Sequence, residues 1–169
     1  IRHSAAHIMA AAIQKLYPDV KFDIGPATDE GFYYDIETER RLGPDELKSI
    51  TKEMRRLVNQ KLPFVRRTMS REEAETFLRE QGQTYKLERL SDISEGQEIT
   101  FYECGDFVDL CRGPHVSHSG EIGAFKLLSV AGSYYRGDER NPMLQRIYGT
   151  AFDNKQDLNA YLQQLEQAR

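Results

Sequence analysis

Apolar and polar positions along this chain recur with two different periods, and the changes of period outline the elements. In residues 3–17, Ala6, Met9, Ile13 and Leu16 repeat at helical spacing, and Pro18 stops the run. Residues 20–37, VKFDIGPATDEGFYYDIE, read as two alternating strands around a turn-rich GPATDEG segment, which makes a hairpin. A second helix is predicted over 43–60, with Pro44 in its first turn and Leu47, Ile50, Met54 and Leu57 on one face. FVRRTM is a short strand, after which Ser70 and Glu73 have the spacing of a capping box that opens a third helix. Residues 85–94 fit neither period. ITFYECGDFVDL, 99–110, is strand-like, as are GAFKLLSVAGSYYRG and LQRIYGTAF. Residues 153–168 read as a helix capped by Asp153, with Leu158, Leu162 and Leu165 as a narrow stripe. Helices gather early and strands late, without βαβ alternation, so the expected class is α+β. The expected architecture is an antiparallel sheet packed with the N-terminal and middle helices, a central cleft, and a C-terminal helix leading out.

Composition narrows the picture. With 169 residues, 39% hydrophobic and 30% charged, the chain suits one domain or two small lobes sharing a core. No apolar run approaches the roughly 20 residues that span a bilayer. Two cysteines make no disulfide framework, which fits a reducing cytosol, and a cytoplasmic location is expected. The first residues do not read as a signal peptide, and Ile1 is not a start methionine, so the chain is expected to be a piece of a longer protein. A net charge of -4 argues against gripping long duplex nucleic acid, but leaves room for one nucleic-acid end in a local pocket. The basic clusters, Arg55-Arg56 and Lys61 through Arg71 with Arg66 and Arg67, read as solvated surface.

Candidate chemistry lies in two pairs. RHSAAHIM carries His3 and His7 one helical turn apart, and VDLCRGPH carries Cys111 and His115 four apart around an Arg-Gly-Pro turn. Of 4 His and 2 Cys, only His118 and Cys104 fall outside these pairs. Three imidazoles and a thiol are a plausible zinc ligand set, and equally a set for water chemistry near neutral pH. Ordinary packing accounts for either pair alone, because paired histidines occur on many helices and a cysteine after a strand is often core.

The strings RHSAAHIM, IGPATDEGFYYD, YKLERL, VDLCRGPH, AGSYYRGD and MLQRIYGTAF, in this order, resemble the editing domain of bacterial threonyl-tRNA synthetases. The HxxxH and CxxxH pairs are shared with the editing domains of alanyl-tRNA synthetases and with free-standing alanyl-tRNA deacylases. The resemblance implies hydrolysis of mischarged seryl-tRNA(Thr), because a missing methyl is worth only about 1–3 kcal/mol at a first recognition site. It also implies an editing unit over 1–150 with a smaller inserted α/β lobe around 38–98, and a connecting helix over 151–169 toward a synthetic domain. By the same resemblance His3 is the base or water-positioning group, and Lys86 orients a water or stabilises the leaving ribose oxygen. Asp109 holds Lys86 or the substrate ammonium. His7, Cys111 and His115 shape the pocket and contact substrate, as do Tyr34 and Arg112. Tyr134, with Tyr135 and Arg136, would stack on the terminal bases, although one of the two tyrosines is expected in the core. The implied partners are the 3′ acceptor end of tRNA(Thr) carrying serine and the rest of a parent synthetase, homodimeric through its other domain, with no membrane. No metal is favoured for editing; a zinc ion, if present, would sit on His3, His7, Cys111 and His115. ATP and a further zinc belong to the synthetic domain. A free-standing alanyl-type deacylase and a non-catalytic zinc or acceptor-end binding module are the competing readings.

Overall fold

The computed structural model describes residues 1–168. The described residues form helices α1 (Arg2–Leu16), α2 (Pro44–Asn59), α3 (Arg71–Glu80), α4 (Thr84–Ser91) and α5 (Lys155–Gln167). The strands are β1 (Lys21–Phe22), β2 (Phe32–Glu37), β3 (Phe64–Thr68), β4 (Thr100–Cys104), β5 (Phe107–Leu110), β6 (Ala124–Tyr134) and β7 (Met143–Phe152). Two antiparallel sheets result, of order β1-β2-β7-β6 and β3-β4-β5, so the α+β expectation holds. No helix is long and apolar enough to cross a membrane among the described residues.

Most elements predicted from periodicity form where expected, and the differences have local causes. The ambiguous stretch 85–94 folds as α4, over residues 84–91. The strand-like run 99–110 is a hairpin, because Gly105 takes a positive φ of 61° and lets β4 turn back as β5. The cap of α5 is Asn154 rather than Asp153: the Asn154 side chain accepts from the Asp157 N–H at 2.8 Å. The capping box of α3 is present, with Ser70 and Glu73 each bonding the other's backbone N–H at 3.1 Å.

Helix α1 departs from a one-sided stripe. Ala5, Ala6, Ile8, Met9, Ala10, Ala12 and Ile13 are all fully buried, while Leu16 is 38% exposed. A helix apolar on several sides must be enclosed on several sides. The larger core holds α1 with α2 and with Phe22, Phe32, Tyr34, Ile36 and Ile147 of the first sheet, and it reaches Cys104 and Phe107 of the second. A smaller core, Ala74, Leu78, Leu90, Ile99 and Phe101, joins α3 and α4 to β4. The N-terminus of α1 thereby lies between the two sheets, where a helix face can meet the end of β5.

The second sheet is tied to the first through α4. Gln83 accepts from the Phe22 N–H at 2.8 Å and donates to the Val20 carbonyl at 3.1 Å, taking the place of a neighbouring strand on the edge of β1. Arg89 donates to both oxygens of Asp23 at 2.7 and 2.9 Å, and the Tyr85 hydroxyl bonds Glu37. The fork-to-carboxylate pairing adds direction to these contacts. Two side chains of α4 and that of its N-cap residue thus fix the orientation of Lys86.

Candidate functional site

A cavity of about 340 Å³ opens between the N-terminus of α1, the β1–β2 connection, α4 and the end of β5. Its wall includes His3, His7, Tyr34, Lys86, Asp109, Cys111 and Arg112. Seven of the nine candidate residues thereby share one space. His115 stands off the cavity wall, against His3 with ring centroids 4.6 Å apart. Tyr134 lies elsewhere, 40% exposed at the end of β6, while Tyr135 is the tyrosine that packs, as expected of one of the two.

Each side chain is held by its own element. Asp109 is on β5, opposite Tyr102, and the chain after it is pinned by the Cys111 N–H to the Thr100 carbonyl at 3.1 Å and by Thr100 Oγ1 to the Cys111 carbonyl at 2.6 Å. Lys86 Nζ meets Asp109 Oδ1 at 3.2 Å and the Leu110 carbonyl at 3.2 Å. Lys86 and Asp109 are only 4% and 6% exposed. The Tyr34 hydroxyl donates to the other carboxylate oxygen, Asp109 Oδ2, at 2.5 Å. A buried ion pair contributes little net stability, because desolvation offsets attraction, but it fixes geometry when its remaining lone pairs are filled. Here each carboxylate oxygen has a partner and Lys86 has a second acceptor. The Arg-Gly-Pro turn needs its glycine: Gly113 has φ +71°, and a Cβ there would meet Tyr102 Oη at 2.5 Å.

Cys111 Sγ lies 3.3 Å from His3 Nε2 and 3.3 Å from His115 Nε2, and accepts the Gly113 N–H at 3.3 Å. Burial, and then the Asp109 charge, push the thiol up to about 11, so it stays protonated at neutral pH and is a poor nucleophile. His115 stacks on Phe64 at 4.8 Å and meets the edge of Tyr102 at 4.5 Å. Burial lowers His115 to about 3, with the neighbouring His7 and His3 acting in the same sense. His7 is 2% exposed and lies against Phe64 and Phe107. Burial, then the Lys86 charge, hold it near 3. Neither His7 nitrogen has a hydrogen-bond partner. A buried imidazole without partners costs about 1–3 kcal/mol, and the fold bears that cost beside the cavity. His3 is also lowered, mainly by burial, but Asp109 opposes that shift.

These shifts set an acid limit on stability. Both His7 and His115 have folded pKa values near 3, below the ordinary 6.5. On acidification the unfolded chain therefore binds their protons first. The stabilisation is fully present above the ordinary value and is lost as pH falls from 6.5 toward 3. The unfolding free energy measured in urea should fall over that window, by up to about 1 kcal/mol per pH unit for each ring, whereas a free energy independent of pH there would contradict the burial of neutral imidazoles.

As ligands, His3, Cys111 and His115 converge, with donor atoms within 4.8 Å of one another. Three soft or borderline donors at such spacing fit one zinc ion with a fourth position left open. His7 is not among the converging donors, so the four-ligand set is not assembled.

Several site residues carried no sequence signal of their own. Ser4, Gln83, Asp23, Phe64 and Tyr102 act by supporting others, and only their neighbours in space reveal them. Arg89 lies on the cavity wall within YKLERL, a string that the family resemblance had already marked.

Comparison with known proteins agrees with that resemblance. Residues 99–148 match the family described as threonyl and alanyl tRNA synthetase second additional domain. Over 169 residues the chain is 53% identical to the threonine--tRNA ligase of Bacillus velezensis and 53% identical to threonine--tRNA ligase 1 of Bacillus subtilis. It is 52% identical over 168 residues to the threonine--tRNA ligase of Methylococcus capsulatus. The match covers 99–100% of this chain but only 26% of the length of each of these relatives.

Proposed function

We propose that this chain, a relative of a segment of threonine--tRNA ligases with the threonyl and alanyl second additional domain along residues 99–148, is an editing unit that hydrolyses seryl-tRNA(Thr). The observation that carries the reading is the convergence of His3, Lys86 and Asp109 on one open cavity lined by Cys111 and His7. Its size suits an aminoacyl group joined to part of one nucleoside. A non-catalytic module would have no need of an open cavity beside a buried, paired lysine.

In this reading a water sits between His3 and the ester. Its oxygen bonds to the carbonyl carbon while its proton passes to His3 Nε2. The carbonyl oxygen takes the negative charge and faces the cavity wall, with Lys86 as the candidate donor. The ester C–O bond then breaks, and the leaving ribose oxygen takes the proton held by His3, which returns the base to its starting state. Asp109 orients Lys86 and offers charge to the serine ammonium. Arg112, exposed at the rim, meets the backbone of the acceptor end. Tyr134, outside the cavity, would serve the RNA only through nucleotides that run past β6. If a zinc ion is held by His3, Cys111 and His115, it supplies Lewis acidity toward a water; the steps above use the chain's own groups.

We take residues 1–150 as the editing unit with its lobe around 38–98, and 151–169 as the connector to the rest of a cytoplasmic parent synthetase that pairs through its other domain. Incubation with seryl-tRNA(Thr), threonyl-tRNA(Thr) and alanyl-tRNA tests the proposal. Preferential release of serine, unchanged after dialysis against a chelator, is the expected result. Preferential release of alanine would favour the alanyl-type activity, and no release of any amino acid would remove the deacylase reading.

A further inference from the structure

Ser4 is fully buried on α1, one position after His3. Its Oγ accepts the Val116 N–H at 3.0 Å and lies 2.9 Å from His115 Nδ1. With Val116 donating to Oγ, the hydroxyl hydrogen needs an acceptor of its own, and His115 Nδ1 is the one in reach. A neutral imidazole that accepts at Nδ1 carries its proton at Nε2. That Nε2 is 3.3 Å from Cys111 Sγ, which also receives the Gly113 N–H. With two N–H groups directed at the sulfur, the thiol hydrogen is left for the remaining neighbour, His3 Nε2, at 3.3 Å. In the opposite tautomer Ser4 would accept two N–H groups with its own hydrogen unplaced, and the thiol would turn toward His115 instead of His3. The choice of tautomer therefore determines which imidazole the thiol serves.

We infer that Ser4 is a positioning residue: it sets the His115 tautomer, and through His115 and Cys111 it presents His3 with an unprotonated Nε2 toward the cavity. A thiol is a weak donor, so a water hydroxyl can take its place at His3 without a large cost. Cys111 then acts as a placeholder at His3 rather than a nucleophile. The proton arrangement stands on the hydrogen bonds alone; its consequence for catalysis rests on the deacylase reading above.

The test is long-range proton–nitrogen NMR of the nitrogen-15-labelled chain after chelator treatment. His115 is expected with Nδ1 in the unprotonated range and Nε2 protonated, and His3 with an unprotonated Nε2. Ser4→Ala should shift His115 toward the other tautomer, and Ser4→Cys, which keeps the volume but weakens the donor, should do so in part. On seryl-tRNA(Thr), Ser4→Ala should lose about tenfold in kcat with KM unchanged, the usual size of effect for a partner that orients a functional imidazole. His115 protonated at Nδ1 in the wild type, or the same tautomer in both variants, would overturn the inference, as would a loss confined to KM. If Ser4→Ala does not fold, the wild-type spectrum and Ser4→Cys decide the matter. Should the wild type show the expected tautomers yet release no serine, the proton assignment stands and the deacylase reading falls.

Discussion

His3→Ala should slow seryl-tRNA(Thr) hydrolysis by about 10²–10⁴-fold, the usual worth of a positioned general base, while leaving thermal stability close to that of the parent. His3 is on the first turn of α1, only partly buried, and its side chain meets the Cys111 sulfur in a weak bond and the Pro114 backbone. Removing it empties the cavity wall without uncovering the core beneath, which is built from Ala5, Ala6, Ile8 and Met9. A ring whose role was only structural would give the reverse result, a lowered melting temperature with hydrolysis retained. Single-turnover deacylation together with a thermal melt separates the two.

Asp109→Ala should be the most damaging single change to stability, by about 3–5 kcal/mol, because it strands a buried cation. Lys86 would keep only the Leu110 carbonyl, and the Tyr34 hydroxyl would lose its acceptor. Part of the loss should return in the double variant Asp109→Ala/Lys86→Met, which removes the stranded charge along with its partner. Denaturant midpoints for the two variants measure this directly. A double variant no more stable than Asp109→Ala would show that Lys86 is not the group that suffers.

The two histidine-bearing strings were legible because their chemistry is local. An HxxxH spacing on a periodic helix shows that His3 and His7 share a face, and a CxxxH turn shows that Cys111 and His115 lie close. Distance between the strings was not legible from spacing; the family resemblance supplied it, and the cavity wall now holds both. The sequence also presented Lys86 as an ordinary lysine in a stretch without a clear period. Its burial follows from Gln83, Tyr85 and Arg89, each bonded to a residue more than forty positions away, and contacts of that kind leave no trace in a local pattern. The same holds for α1. The stripe of Ala6, Met9, Ile13 and Leu16 marked one face only, and the presence of α2 and both sheets around the helix shows why its other alanines must be small. The misplaced α5 cap has a simpler origin: Asp153 and Asn154 are adjacent and both suited to the role, and the N–H of Asp157 selects the second.

Titration with a seryl group joined to adenosine by a non-hydrolysable amide is the most direct measurement of the central claim, that these side chains surround the reacting bond. Followed by side-chain NMR, saturable binding should move the resonances of His3, His7 and Lys86 together, with the threonyl analogue bound more weakly. Binding that leaves those three unmoved and perturbs only surface residues such as Tyr134 would contradict it.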